Sequence, residues 1–210
     1  MSRDFILHRV RTAVGRSAAQ APAPAPEAEL RVSEIPLERR IEIFSTALEK
    51  LGGRSFVAGS LEEARAYAAR LVEGKRAVAS NAALLAECGI AALTEVRSGF
   101  STLPELRRAL EAADVGITGA DYALAETGSL VLLSSAAEAR LISLLPPVHL
   151  AVVSRNRLLA GLDELVTVLP DPAAATSALV IITGPSRTAD IEQILVRGVH
   201  GPREVHVLLI

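Results

Sequence analysis

The sequence predicts an α/β protein with a mainly parallel sheet flanked by helices on both faces. Short apolar, strand-like runs alternate along the chain with segments of helical spacing, the pattern of a parallel sheet covered by helices. Two of those runs, Val131-Leu132-Leu133 and Val180-Ile181-Ile182, are continuously apolar, as strands buried on both sides are. Half of the 210 residues are hydrophobic, which is enough for one domain with a sizeable core. Aromatics make up only 3% and Trp is absent, so Ala, Val, Leu and Ile must fill that core.

Each element follows from local signals. Residues 1–17 are read as an N-terminal amphipathic helix, because Ile6, Leu7, Val10 and Val14 recur at helical spacing. Residues 18–33 are read as an Ala/Pro-rich linker. Pro22, Pro24 and Pro26 alternate with Ala, which stops a helix and favours extended, polyproline-like backbone. The α/β domain is expected over 34–210. Its first helix, 36–51, sets Leu37, Ile41, Phe44, Leu48 and Leu51 on one face and ends at Gly52-Gly53, where positive φ is available. Then come a strand at 55–58, a helix at 61–73, a strand at 77–79 and a helix at 81–87 with Asn81 as N-cap. A short strand is expected at 91–96, a helix at 104–112 and a strand at 114–117. A helix at 120–125 leads into a strand at 129–133. Residues 136–144 read as helical until Pro146-Pro147 ends the segment, and strands follow at 148–153, 178–183 and 205–210. A helix at 187–196 separates the last two. The turns at Asn81, Thr118-Gly119, Thr127-Gly128 and Thr183-Gly184 all follow strand ends, and open α/β sheets bind ligands at the carboxyl ends of their strands.

Composition excludes several function classes. A formal net charge of −2 gives no general attraction to nucleic acid or to an anionic membrane surface. Cys88 is the single cysteine, so neither an intramolecular disulfide nor a cysteine-ligated iron–sulfur cluster is expected. His8, His149, His200 and His206 are scattered, without the spacing of a metal site, so no metal is predicted. Phe5-Ile6-Leu7 is too short for the apolar core of a signal peptide, and 141–153 is too short and too interrupted to span a membrane. The cytoplasm is the expected location. Neither GxGxxG after a strand nor GxxxxGK[ST] occurs, so no dinucleotide or nucleotide site of those kinds is expected.

Three segments carry the chemistry. In 116–129, GITGADYALAETGS, Glu126 stands beside Thr127, Gly128 and Ser129. A carboxylate next to hydroxyls and a glycine turn could act as base or nucleophile, or it could be a solvated turn residue. In 183–192, TGPSRTADIE, Gly184 makes a tight turn, and Ser186 or Thr188 would cap the following helix. The exposed N–H groups of such a helix start and the guanidinium of Arg187 would suit an anion, while an ordinary capped helix is the plainer alternative. In 199–202, VHGP, His200 sits in a turn where it could move protons or simply bond the backbone. His149 and His206 lie within apolar strands and read as structural. Cys88 reads as buried filler. Glu138 and Arg140 could face the crevice, with an exposed pair the more ordinary outcome.

The stretches GITGADYALAETGSLVLLS, LLPPVHLAVV and TGPSRTADIEQILVRGVHGP resemble the signature segments of the lactate utilisation protein C family, the LUD-domain proteins, and they occur in that family's order. The resemblance covers 34–210, and the opening helix is similar too. It departs from the pattern at 136–140, where the Gly often found is missing. The resemblance implies the fold of the superfamily that holds ribose-phosphate isomerase, CoA transferases and the formyltetrahydrofolate cyclo-ligase. It implies a component of an L-lactate-oxidising system whose iron–sulfur proteins are its partners, with no cofactor in this chain. It also transfers a catalytic role to Glu126. Thr127, Gly128, Gly184, Ser186, Arg187 and Thr188 would then line a pocket for a small anionic ligand, with His200 close by. A free-standing enzyme on a phosphorylated, carboxylated or CoA-linked small molecule and a non-catalytic assembly protein are the alternatives. Self-association is left open.

Overall fold

The computed structural model describes residues 2–15, 30–189 and 195–210. Helix α1 (Arg3–Ala13) is capped by Ser2, whose side chain accepts from the Phe5 N–H, and none of its residues is buried. Most of the expected linker, 16–29, lies outside the described residues. Helix α2 (Leu37–Lys50) buries Phe44 and Leu48 and ends at Gly52, whose φ is +83°. There follow β1 (Arg54–Val57), α3 (Leu61–Val72), β2 (Ala77–Ala79), α4 (Ala83–Glu87), β3 (Val96–Arg97), α5 (Leu103–Glu111) and β4 (Val115–Gly119). A hairpin of β5 (Tyr122–Leu124) and β6 (Ser129–Leu133) comes next. After it lie a 3-10 turn at Arg140–Ser143, β7 (Val148–Val153), β8 (Leu158–Leu159), α6 (Leu162–Val168), α7 (Pro172–Ala175) and β9 (Leu179–Ile182). The chain closes with β10 (Arg187–Ala189), β11 (Leu195–Arg197) and β12 (Glu204–Leu209).

The central sheet has the order β1-β12-β7-β4-β2-β3, and every pairing in it is parallel. Alternation along its strands divides the core. Leu150, Val152 and Leu208 face Ala64, Ala68 and Val72 of α3 and Leu85 of α4. Ala151, Val153, Val207 and Leu209 face Phe44 and Leu48 of α2 on the other side. On that second side lies a further sheet, β8-β5-β6-β9, whose Leu130 and Leu132 pack into the same cluster. The rest of the sheet is covered by Leu106 and Leu110 of α5, which meet Val78 and Ile142.

Several expectations need correction. Residues 120–125 are not helical: Tyr122–Leu124 pairs antiparallel with β6 and parallel with β8. Its Ala content favours a helix locally, but cross-strand pairing decides the outcome. The run Val180–Ile182 belongs to an edge strand of the second sheet, and Ile181 is 44% exposed, so a continuous apolar run here does not mean burial on both faces. The expected helix over 187–196 is absent among the described residues. Arg187 pairs with Arg197 and Thr188 with Val196 in a β-hairpin, while 190–194 lie outside the described residues. Asn81 is not an N-cap; its Oδ1 accepts from the Gly99 N–H at 2.9 Å. Residues 136–144 contract to the 3-10 turn, and the strand expected at 91–96 to Val96–Arg97.

Candidate functional site

The residues singled out around Glu126 and Arg187 are drawn to one place, the C-terminal end of α2. Gly128 has φ +64°, and a Cβ there would lie 2.5 Å from the Leu48 backbone nitrogen. Gly184 has φ +78°, and its Cβ would lie 2.8 Å from Leu51. Both glycines therefore serve close approach to the helix. The hydroxyl of Thr127 meets Ser129 Oγ at 2.7 Å, which meets Thr183 Oγ1 at 2.9 Å, tying the two turns together. Arg187 and Arg197 reach Gly52, just past the end of α2. That helix end carries the negative pole of the backbone dipole, which favours the two guanidinium groups placed there. With Arg187–Ala189 in a strand, the helix start from which an anion site was inferred over 183–192 is absent among the described residues. Ser186 is instead a backbone anchor, its N–H donating to Pro202 O at 2.8 Å and its carbonyl accepting from the Gly198 N–H at 3.0 Å. His200 is exposed in a bend.

Glu126 is exposed and borders two open clefts. One, of about 580 Å³, lies between 31–35 and the start of α6. The other, of about 420 Å³, runs along α2. The Glu126 N–H donates to Ala160 O at 3.0 Å, and its carboxylate lies against Gly161, where a Cβ would come within 2.7 Å of Oε2. In the first cleft the Arg31 N–H donates to Asp163 Oδ2 at 2.9 Å, so the last residues of the expected linker are docked on the domain. The half-buried Arg40 guanidinium pairs with Glu164 at 3.0 Å beneath it.

A different carboxyl occupies the sheet crevice. The chain leaves β2 towards β3 and leaves β4, through the second sheet, towards β7, so β2 and β4 are neighbours whose connections run in opposite directions. That is the topological switch point, where open α/β sheets bind ligands. Ser80 follows β2, and Gly119 ends β4. Over them hangs 135–138, pinned by Ser135 Oγ accepting from the Glu138 N–H at 3.0 Å and by the Asn81 N–H donating to Ala137 O at 2.9 Å. Glu138 Oε1 accepts from Ser80 Oγ at 2.8 Å and from the Gly119 N–H at 2.7 Å. Gly119 is required here, since a Cβ would stand 2.8 Å from that oxygen. Burial pushes the Glu138 pKa up to about 7, against the lowering by the Ser80 and Gly119 bonds and with a further rise from Asp121. Glu138 also lines an open cleft of about 490 Å³ with Gly119, Asp121, Tyr122, Ser154 and Arg157.

Sequence reasoning named Glu138 but favoured an exposed pair with Arg140. Arg140 is exposed and Glu138 is not. The usable signal was the sequence of strand ends at Ser80 and Gly119, since a buried carboxyl needs donors of that kind. Beside the crevice, His149 is fully buried with Nε2 2.8 Å from Thr118 Oγ1, and burial first, then His206, pulls its pKa down to about 4. His206 is buried too, its Nδ1 at 2.8 Å from the Tyr67 hydroxyl. Both are structural, as their strand positions suggest. Cys88 is buried, and burial raises its thiol pKa.

The family model described as LUD domain matches residues 41–210. Lactate utilization protein C of Halalkalibacterium halodurans is 45% identical over 96 residues, 44% of this chain and 42% of that protein. The protein of the same name from Bacillus subtilis is 38% identical over 104 residues, 48% of this chain and 43% of its own length. The matched stretch thus spans less than half the length of these relatives. A DUF162 family protein of known structure from Deinococcus radiodurans aligns with a TM-score of 0.62 at 22% identity, covering 83% of this chain and 98% of that one, which shows a shared fold.

Proposed function

The chain belongs to the LUD domain family, and from that premise we propose that it is a component of a system oxidising L-lactate to pyruvate. The observation that carries this reading is its identity of about 40% to proteins named Lactate utilization protein C. One chemical fact supports the division of labour. Oxidation of lactate needs an acceptor for two electrons, and a chain whose single cysteine is buried offers no thiolate set for an iron–sulfur cluster. The electrons then pass to iron–sulfur proteins that act as its partners. No described helix is long and apolar enough to cross a membrane.

Within that system Glu126 is the proposed reactive carboxylate, exposed at the meeting of two clefts. Thr127 and Arg187, gathered near the same helix end, are the proposed contacts to an anionic ligand or an acidic partner surface. Complementation tests the reading. A strain that lacks its LUD-domain component and fails to grow on L-lactate should recover with this chain. It should recover poorly with Glu126→Gln, although that variant melts like the parent. Full recovery with Glu126→Gln removes the chemical role. No recovery with the folded parent chain rejects the lactate reading.

A further inference from the structure

Helix α1 is specified as a helix, yet it buries nothing. Ser2 caps its start and Arg11 stands in its last turn, but none of its residues is buried. Ile6, Val10 and Val14, four residues apart, form one exposed apolar face, while Arg9 lies 6.0 Å from the Phe5 ring centre. An isolated helix of 11 residues is marginal in water and takes its stability from packing such a face. The helix is also basic. Arg3, Arg9 and Arg11 against Asp4 give it a formal charge of +2, whereas the whole chain carries −2, so the remainder carries −4.

A surface of matching character lies on the domain. The 580 Å³ cleft between 31–35 and the start of α6 has Ile35, Ile43 and Leu162 in its walls, together with Glu126, Asp163 and Glu164. Arg40 pairs with Glu164 and Arg31 is the other cation present, so the cleft is net negative. Leu162 and Val166, one turn apart on α6, are exposed and continue its apolar wall outwards. The tether decides whose α1 reaches this cleft. Residues 16–29 join Gly15 to Leu30, and the next residue, Arg31, is fixed at the cleft by Asp163. Pro22, Pro24 and Pro26 alternate with Ala in that stretch, a composition that extends by about 3.1 Å per residue and so spans about 45 Å. A domain of this size has a radius of gyration of about 16 Å. Stiffness that carries α1 past its own domain also resists the reversal needed to bring it back beside its own tether.

We propose that α1 docks in this cleft on a second copy of the chain, whose own α1 docks in return, giving a symmetric dimer with exchanged arms. Ile6, Val10 and Val14 cover the apolar strip of Ile43, Leu162 and Val166, and the helix arginines meet Glu126 and Asp163. The contact is small, so the exchange is a reversible equilibrium in the micromolar range, and the dilute chain is a monomer with α1 free. The proposal uses only the shape and charge of the two surfaces and holds whether or not the chain serves lactate oxidation.

Sedimentation equilibrium of the full-length chain from about 1 to about 200 µM is the test. Exchanged arms predict a monomer at the low end, a dimer at the high end and no larger species, because two reciprocal contacts close the assembly. Raising the salt from about 0.05 M to about 0.5 M should weaken association, since the charges involved lie at the surface. Val10→Asp and Leu162→Asp should each weaken it by more than about tenfold. Both positions are exposed, so each variant should melt like the parent. Mixing the two variants should restore a heterodimer, since the intact helix of one meets the intact cleft of the other. A parent chain that stays monomeric throughout the range overturns the proposal and assigns α1 to its own domain or to a foreign protein. A dimer that Val10→Asp leaves unchanged overturns it as well. So does a dimer lost in Val10→Asp but kept in Leu162→Asp, for the two helices would then pair with each other. Mixed variants that associate no better than either alone contradict the exchange.

Discussion

At the scale of single residues, two buried titratable groups oppose each other. Glu138 keeps its proton in the folded chain to about pH 7 and loses it near 4.5 when unfolded. Between those values unfolding releases a proton, so stability falls as pH rises, by up to about 3 kcal/mol. His149 is neutral in the folded chain down to about pH 4 but protonates near 6.5 when unfolded. Its contribution is present above 6.5 and is lost as pH falls towards 4. The two slopes have opposite sign where they overlap, so the parent chain should show a flat urea midpoint between pH 4.5 and 6.5. Glu138→Gln should expose the histidine's slope and become steadily less stable towards acid. His149→Gln should expose the carboxyl's slope and become less stable towards neutral pH. Two flat profiles would show that neither group is buried as described. Gly128 gives a second residue-scale test. Its positive φ and the 2.5 Å approach to Leu48 make Gly128→Ala destabilising by about 2 kcal/mol or more in chemical denaturation.

At the scale of elements, α2 holds the parts together. It packs on the parallel sheet through Phe44 and Leu48, receives Gly128 and Gly184 at its end, and ties α6 through Arg40 and Glu164. Leu48→Ala should cost about 2–5 kcal/mol. The solvent-facing pair Ile6→Gln and Val10→Gln in α1 should change stability by less than about 0.5 kcal/mol, since no residue of that helix is buried. Equal losses would mean α1 is docked. The elements of the central sheet were legible from sequence because their signals are local: apolar runs such as Val148–Val153, and the Gly52-Gly53 stop after a periodic helix. The second sheet was not. Tyr122–Leu124 lies in a segment whose Ala content favours a helix locally, and it becomes a strand only because β6 and β8 flank it. The hairpin at Arg187 likewise depends on a partner ten residues later. The site suffered in proportion. Arg187 was read from a motif assumed to sit at a helix start and Glu126 from a turn between a helix and a strand, whereas Glu138 depends on three separate segments meeting, which spacing along one segment cannot reveal.

At the scale of the whole molecule, the parallel sheet sets its carboxyl-end crevice at β2 and β4, while the second sheet and α2 place Glu126 beside separate clefts. Residues 31–35 border one of those clefts. Partner proteins covering this face should therefore slow hydrogen exchange at 31–35 and around Glu126, and leave the amides of α3, on the far side of the sheet, unchanged. Protection confined to α3 would place the partner surface elsewhere. The measurement that bears most directly on the lactate role is L-lactate-dependent dye reduction by the co-expressed iron–sulfur partners, with and without this chain. The account predicts that reduction requires the chain at saturating lactate. Full activity of the partners alone would contradict it.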